Sequence, residues 1–413
     1  MLASSPLPPT SSVRWPLLGL AGLTAAMAVA APTMALPVLF AEIADDLSLS
    51  LVQVGAVWGL ISFAGLFAGL AGGMLADRFG TKRALSVACL ALGVLGATRG
   101  LSTSLITMSI TVFAAALAST TIPGNLHKMC AYWFTGQTLV MANAVVSAGM
   151  ALGFMTGAFV SASFLSPWLG SWRGVLFFYG GVAVLLSIPW FLSPLSTEEH
   201  TRLYRGHAAP SLRGALSHVV RIRDVWVLGV ALLFLGGGVQ GMLGYLPLYL
   251  RGVGWAAERA DSALSGFHAI SLLAIFPMVW LSSKMESKKQ FLIATTLVLA
   301  TGIGLLSILD GIAIWVGVLL AGVVRDGYMA VFMTSSSQVR GVGAGFTGTA
   351  LGLIMTLSRI GALLAPPIGN SLATYGPRMP FVLWGAMALM GLIVILLKPE
   401  ISVPGLGQLS TRS

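Results

Sequence analysis

Charged residues are scarce in this sequence. Asp, Glu, Lys and Arg together make up 9% of the 413 residues, whereas 56% are hydrophobic. A soluble globular domain carries about 25% charged residues, so this chain has too little polar surface to fold as one. The composition therefore excludes a soluble globule and predicts an integral membrane protein with many spans.

Cysteine is nearly absent, and the signatures of cofactor chemistry are missing. The two cysteines, Cys89 and Cys130, lie in or beside apolar runs, so they indicate neither a disulfide framework nor a metal site. The sequence contains no Gly-Lys-Ser or Gly-Lys-Thr phosphate loop, which argues against direct hydrolysis of ATP. We therefore expect a protein that is not an enzyme and that uses no cofactor or metal.

Acidic residues are also few: 13 against 23 lysines and arginines, which gives a net charge of +10. The bases are scattered among short loops and form no continuous basic stripe, so nucleic-acid binding is not indicated. They fit membrane orientation instead, because sixteen of the 23 lie on one side of the spans described next. The positive-inside rule then places both termini in the cytoplasm. Five bases fall on the outer side: Arg99, Arg173, Arg251, Arg259 and Arg378.

Long apolar runs are what the sequence does contain. A transmembrane helix needs about 20 apolar residues, and counting such runs gives twelve spans. They cover residues 16–39, 52–73, 84–101, 105–128, 138–160, 173–193, 224–249, 263–281, 290–308, 312–334, 344–367 and 379–397.

The longest polar segment divides these spans six and six. The predicted organisation is a cytoplasmic tail (1–14), a first bundle (15–193), a cytoplasmic linker (194–223), a second bundle (224–397) and a second cytoplasmic tail (398–413). The two halves resemble each other at a shift of about 206 residues, which is typical of duplicated membrane-protein halves. We expect an all-α membrane protein with twelve transmembrane helices in two pseudo-symmetric six-helix bundles, located in the cytoplasmic membrane of a bacterium.

A charged turn lies between the second and third spans. Residues 72–83 read GGMLADRFGTKR and separate two almost uncharged runs, so the turn reverses the chain at a membrane surface. This order resembles the loop between helices two and three of the major facilitator superfamily, except that Thr81 stands where that family usually carries a base. The resemblance implies transport by alternating access of two rocking halves. It also implies a cytoplasmic gate that comprises Gly73, Asp77, Arg78, Gly80, Lys82 and Arg83.

Glycine is abundant, with 50 residues, and several glycines follow small-residue spacings that favour close helix packing. The fifth span carries Gly149, Gly153 and Gly157 on one face. The seventh span carries three consecutive glycines at 236–238. The same interpretation is given to the glycines of the eleventh span, which are Gly343, Gly345, Gly348 and Gly352.

Three charges lie inside predicted spans and away from the span ends. Arg325 and Asp326 are in the tenth span and Arg359 is in the eleventh, whereas the other twelve carboxylates fall in loops, tails or span ends. A charge inside the membrane costs about 2.5–3.5 kcal/mol on insertion scales, so we expect these three to have a role. One interpretation is a permanent salt bridge between the tenth and eleventh spans. The other is that Arg325 binds an anionic group while Asp326 pairs with Arg359 or carries a proton.

Neighbouring residues of a helix point about 100° apart, so we expect Arg325 and Asp326 to face different ways.

Other polar residues inside the spans are weaker candidates. His268 either titrates near neutral pH or simply hydrogen-bonds a neighbouring carbonyl group. The predicted substrate-binding set is Arg325, Arg359, Tyr328, Asn125, Asn143, Gln240 and His268, and the predicted proton-coupling residue is Asp326 or His268.

We interpret the sequence as that of a secondary transporter that moves a small organic anion with protons as the coupling ion. Its expected partners are that anionic substrate, protons and membrane lipids, and we expect a monomer. Proton-driven efflux of lipophilic or cationic compounds is the competing interpretation, with Asp326 as the partner of the cation. A third interpretation is a receptor or sensor on the same fold. A large extra domain would have supported it, and the sequence shows none. Two membrane arginines against one aspartate favour the anion.

Overall fold

The computed structural model describes residues 13–193, 212–285, 287–339, 341–343 and 346–397, with only the backbone described at 69–79 and 212–213. Nearly all of this part of the chain is helical, and it contains no β-strand. The helices are α1 (Arg14–Asp46), α2 (Leu51–Phe79), α3 (Thr81–Leu101), α4 (Leu105–Trp133), α5 (Gly136–Leu169), α6 (Trp172–Leu192), the short α7 (Leu212–Val219), α8 (Arg223–Gly252), α9 (Ala257–Lys284), α10 (Lys288–Leu305), α11 (Ile314–Ser337), α12 (Thr347–Ser371) and α13 (Met379–Leu396).

Each predicted span overlaps one long helix. Within the described residues, eleven helices are long and apolar enough to cross a membrane. The remaining long helix, α10, has 18 residues and begins with Lys288, Lys289 and Gln290, which lower its mean hydropathy. The prediction of an all-α protein with about twelve membrane spans is confirmed.

Several helices are longer than the apolar runs that predicted them. Helix α1 has 33 residues, and α9 begins at Ala257, before the predicted start of its span at 263. Backbone hydrogen bonding continues past the apolar segment, because a helix satisfies its own backbone groups in water as well as in lipid. Asp261 therefore lies on a helix, whereas the sequence analysis placed it in a loop.

Gly80 makes the turn between α2 and α3 very short. It is the only residue between Phe79, where α2 ends, and Thr81, where α3 begins. Its φ angle is +83°, in a region that residues with a side chain rarely adopt. A glycine at this position of the predicted gate is thus required by the backbone.

The chain divides into two compact units. Unit one comprises Met1–His207 and Leu246–His268, and unit two comprises Ala208–Tyr245 and Ala269–Ser413. The domain boundaries inferred from the sequence stay a prediction.

In unit one, α5 packs directly on the backbone of α1 through its glycines. A Cβ atom built on Gly149, Gly153 or Gly157 would lie 2.3 to 2.4 Å from a carbonyl oxygen of α1. Real Cβ atoms do not approach that closely, so any side chain here would force the two helices apart. The predicted close packing of this stripe is confirmed.

Two helices of unit one contain a π-helical segment. Residues Thr24–Ala30 interrupt α1, and Ser161–Leu165 interrupt α5. A π turn widens the helix and leaves backbone carbonyls without their usual partners. Thr24 marks the start of the first segment, and its hydroxyl accepts a hydrogen bond from the indole of Trp190 at 3.0 Å. This buried bond links α1 to α6.

In unit two, Gly361 of α12 packs on α8, where its Cβ position would lie 2.0 Å from the carbonyl oxygen of Leu233.

The glycines predicted to pack closely at the start of the eleventh span do not do so. Gly348 and Gly352 have no described atom within 4 Å of their Cβ positions, and Gly343 precedes the helix with φ of +72°. Gly345 lies outside the described residues. The prediction is wrong for Gly343, Gly348 and Gly352, because their spacing does not reveal which face of the helix meets a neighbour.

Candidate functional site

A cavity of about 180 Å³ lies within unit two, between α8, α10, α11 and α12. It is small beside the roughly 300–1,000 Å³ of sites for drug-sized ligands, so it suits a compact molecule. Apolar side chains form most of its wall, and three residues of the predicted substrate-binding set line it. The lining residues are Leu232, Leu235, Gly236, Val239, Gln240, Leu243, Leu299, Arg325, Tyr328, Met329, Ser358 and Ala362.

Arg325 brings the positive charge to this cavity. Its Nη1 donates to Oδ1 of Asp326 at 2.5 Å, and the two side chains are 27% and 22% exposed. We expected the two side chains to face different ways, and this is wrong for their charged groups, which are bonded to each other. The arginine side chain is long enough to bridge the angle between the two Cβ directions. A guanidinium has five N–H donors, so this ion pair leaves others for a ligand.

Asp326 lies where α11 packs against α9. Its backbone N–H donates to Oγ of Ser271 at 3.2 Å. At the next residue, Gly327, a Cβ atom would lie 2.3 Å from the Cβ of Met278. The backbone of α11 is thus held closely by α9 at this level, while Arg325 reaches the cavity.

Tyr328 and Gln240 line the same cavity as Arg325. Tyr328 is buried and stacks on Phe332, with ring centroids 5.5 Å apart. Its hydroxyl lies near Thr296 but forms no hydrogen bond of regular geometry within the described residues. The Tyr328 hydroxyl can therefore supply a donor in the same cavity wall as Arg325, and Gln240 places an amide group there.

Ser358 is a cavity residue that the sequence analysis missed. Its Oγ would lie 2.6 Å from a Cβ atom on Gly236, so the glycine makes room for the hydroxyl in the cavity wall. The available signal was its position next to Arg359. A serine inside an apolar helix usually bonds its own backbone, and the sequence does not distinguish that case from this one.

Arg359 does not line the cavity. It lies half-buried on α12 and forms no ion pair with any described residue. The hypothesised salt bridge between Asp326 and Arg359 is absent from this part of the chain, because Asp326 pairs with Arg325 in its own helix. A permanent ionic tie between the tenth and eleventh spans is therefore not observed.

The remaining candidates for substrate binding lie in unit one. Asn125 is buried, and its Nδ2 donates to the carbonyl oxygen of Thr121 at 2.8 Å. Oδ1 of Asn143 lies 2.9 Å from Nδ1 of His127, which joins α5 to α4. His268 is buried, with Phe154 and Phe267 about 5 Å from its ring. None of these three predicted residues lines the cavity of 180 Å³.

The predicted gate is only partly described. Nζ of Lys82 donates to the carbonyl oxygen of Ser193 at 2.6 Å, at the end of α6, and Arg83 is exposed. The side chains of Asp77 and Arg78 lie outside the described part of the chain, as does the environment of Gly73. The gate remains a prediction.

An ion pair with a fully buried carboxylate occurs in unit one. Asp261 of α9 is 0% exposed and accepts hydrogen bonds from Nη2 of Arg251 and from Oγ of Ser163, each at 2.7 Å. We call Asp261, Arg251 and Ser163 the Asp261 cluster. Nearby on α5, Ser166 donates to the carboxylate of Glu42 at 2.5 Å. From the sequence, Arg251 and Asp261 were assigned to an outer loop, because one predicted span ended too early, at 249, and the next began too late, at 263.

Sequence comparison places the chain among known membrane proteins. The sequence model described as Major Facilitator Superfamily matches residues 18–352. A cis,cis-muconate transport protein of Acinetobacter baylyi is 24% identical over 395 residues, which cover 91% of this chain and 92% of the relative. A probable galactarate/D-glucarate transporter of Escherichia coli is 27% identical over 162 residues, covering 36% of this chain and 34% of the relative.

Solved structures agree with the fold. A bacterial homologue of the human lysosomal transporter Spinster superposes with a TM-score of 0.76 at 15% identity, covering 94% of this chain and 97% of that one. The nucleoside transporter NupG superposes with a TM-score of 0.74 at 14% identity, covering 94% of this chain and 98% of that one.

Proposed function

Since the chain belongs to the major facilitator superfamily, and is therefore an integral membrane transporter and not an enzyme, we propose that it carries a small organic anion by alternating access. The transport is coupled to protons, and the protein works as a monomer in the cytoplasmic membrane of a bacterium. Both relatives are named as transporters of organic anions, which supports the proposed substrate class.

The observation that carries this proposal is the placement of Arg325 in the wall of a small, mainly apolar cavity. A guanidinium binds a carboxylate through two parallel hydrogen bonds, and such bonds are stronger where water is excluded. Gln240, Tyr328 and Ser358 line the same space and can bind the remaining polar atoms of the substrate. In this proposal, substrate binding rests on these four residues.

The apolar wall narrows the substrate class. Six side chains around Arg325 are hydrocarbon: Leu232, Leu235, Val239, Leu243, Leu299 and Ala362. A polyhydroxylated acid would leave several hydroxyl groups without partners there, at a cost of about 1–3 kcal/mol for each buried group. The cavity therefore favours a carboxylate whose carbon chain is unsaturated or otherwise apolar.

Proton coupling is assigned to the ion pair of Arg325 and Asp326. A substrate carboxylate that engages Arg325 competes with Asp326 for the same guanidinium. An unpaired carboxylate inside the membrane is unfavourable when charged, so Asp326 takes up a proton as the substrate binds. Anion and proton then move together. The competing efflux of lipophilic cations would need Asp326 as the partner of the cation, and its pairing with Arg325 argues against that role.

The test compares substrate binding with stability in variants of Arg325. Arg325→Lys keeps the charge but loses the planar fork, so we expect the Kd for cis,cis-muconate to rise about tenfold or more. Arg325→Ala should abolish binding. D-glucarate should bind more weakly than muconate to the unmodified protein. Isothermal titration on purified protein measures binding, thermal unfolding measures stability, and the exposed Arg221→Lys is the control.

Two outcomes would contradict the proposal. Unchanged muconate affinity in Arg325→Ala would remove Arg325 from the site. Unfolding of both Arg325 variants, reversed when Asp326→Asn is added, would make the ion pair structural.

A further inference from the structure

Arg99 is buried, although the sequence analysis placed it on the outer surface. It is 6% exposed and lies in the last turn of α3. That turn tightens to a 3₁₀ helix. Arg99 falls inside the predicted span at 84–101, but it was assigned to the outer surface because it lies close to the end of the apolar run. The Nε atom donates to the carbonyl oxygen of Gly96 at 3.0 Å. The charged group is thus held inside the protein by its own helix.

No carboxylate within the described residues pairs with Arg99. The described ion pairs of unit one involve other residues: Asp46 pairs with Arg173, and Asp261 pairs with Arg251. Arg173 additionally donates to the carbonyl oxygen of Ser102 at 2.9 Å. A buried guanidinium without a counter-charge is strongly unfavourable, so its retention calls for a compensating anion.

Arg99 borders a small cavity of about 30 Å³ between α1, α2, α3 and α4. A single water molecule needs about 10–15 Å³ by the same kind of measure, so the space suits a species of one to three heavy atoms. Two hydroxyl groups also line it, those of Thr33 and Ser119. Thr33 already donates to the carbonyl oxygen of Val29 at 2.6 Å, whereas the Ser119 hydroxyl can turn its proton toward an anion.

The remaining wall of this cavity is apolar. It is formed by Ala28, Val29, Pro32, Leu36, Ile61, Leu92, Val112, Ala115 and Ala116. Such a wall excludes bulk water and strengthens the attraction between a guanidinium and an anion. It offers a whole metabolite neither the volume nor the polar partners that it would need.

We propose that Arg99 and Ser119 form a binding site for one small monovalent anion of the size of chloride or formate. Arg99 supplies the charge and most of the hydrogen-bond donors, and Ser119 supplies one more. The bound species is either a free inorganic halide or the carboxylate group of a small acid, since both share the charge and the size that the cavity accepts. The site binds its anion whether or not Arg325 binds the transported substrate.

The experiment measures anion-dependent stability of the purified full-length protein. Sodium sulfate, whose divalent anion is too large for the cavity, maintains the ionic strength while chloride or formate replaces part of it. A ligand that binds only the folded state raises the melting temperature with a saturable dependence on its concentration. We expect this for the unmodified protein with at least one of the two anions, accompanied by broadening of the chloride NMR line if the halide binds.

Variants assign the effect to this cavity. Arg99→Gln should abolish the anion-dependent shift and raise the melting temperature in sulfate alone, because an uncompensated buried charge is removed. Ser119→Ala should raise the Kd about fivefold, the effect of losing one hydrogen bond of ordinary strength. The exposed Arg221→Gln should keep the full shift. Arg325→Ala should also keep it, which separates this site from the proposed substrate cavity.

The outcomes are decisive in both directions. A shift with chloride that depends on Arg99 identifies a halide site, and a shift with formate alone identifies a site for a carboxylate group. The proposal is wrong if Arg99→Gln responds to both anions as the unmodified protein does. It is also wrong if neither anion stabilises the unmodified protein relative to sulfate.

Discussion

Two arginine–aspartate pairs in this protein have similar bond lengths and different surroundings. Arg251 bonds Asp261 at 2.7 Å, and Arg325 bonds Asp326 at 2.5 Å. Asp261 is fully buried and also accepts a hydrogen bond from Ser163 on α5. Asp326 is 22% exposed and pairs with its own neighbour along the chain. With Ser163, the first pair links three helices, whereas the second joins two consecutive residues of α11.

The difference indicates which pair can change partners. Breaking a buried pair leaves an uncompensated charge, so the Asp261 cluster is expected to be intact whenever unit one is folded. The pair in α11 borders a cavity, and the loss of a partly exposed ion pair costs little. An incoming anion can therefore replace Asp326 as the partner of Arg325 without loosening the helices around it.

The largest expected effect follows from removing the charge of Asp261. Asp261→Asn leaves Arg251 buried without a counter-charge and should destabilise the protein by about 3–5 kcal/mol. Thermal and denaturant unfolding of the purified protein measure this loss. The double variant Asp261→Leu with Arg251→Met should recover part of it, because it removes both charges. A loss below about 1 kcal/mol for Asp261→Asn would show that the pair is not a structural tie.

A smaller loss is expected from the third member of the cluster. Ser163→Ala removes one hydrogen bond to a charged group, with an expected cost of about 1.5–3 kcal/mol, while the ion pair with Arg251 remains. Ser166→Ala is the matched comparison on the same helix, since its hydroxyl donates to Glu42 and not to Asp261. A combined Ser163→Ala and Asp261→Asn variant that is no less stable than Asp261→Asn alone would confirm that the two residues act on one interaction. Strictly additive losses would contradict the cluster.

The smallest effect on stability, and the clearest effect on transport, is expected at Asp326. Asp326→Asn should change the free energy of unfolding by less than about 1 kcal/mol, because the side chain is partly exposed and its ion pair is with a neighbouring residue of the same helix. It should abolish substrate-driven proton uptake in liposomes. Asp310→Asn, at an exposed aspartate that pairs with Arg378, is the control. Full proton uptake in Asp326→Asn would remove this residue from the coupling mechanism.

The sequence predicts the number of helices well and their charged ends poorly. Apolar run length directly encodes a membrane span, so all twelve predicted spans overlap a helix, and Arg325, Tyr328 and Gln240 could be selected as polar residues within them. Asp261 is bonded to Ser163, which is 98 residues away along the chain. The sequence around Asp261 contains no pattern that predicts this contact. Arg99 was misplaced for the same reason, because a charge at the end of an apolar run looks like a loop residue.

The π segment in α1 bears on how this chain is compared with its relatives. A π turn of this kind corresponds to one extra residue in an otherwise α-helical sequence, here within Thr24–Ala30. A relative whose first helix is uninterrupted must be aligned with a one-residue gap inside that segment. If the gap is instead placed in the loop at 47–50, every residue of Ala31–Asp46 is aligned one position away from its true counterpart in the relative. Such a pair of residues differs in direction by about 100° around the helix axis. Thr33 and Glu42 would then be equated with residues that face elsewhere.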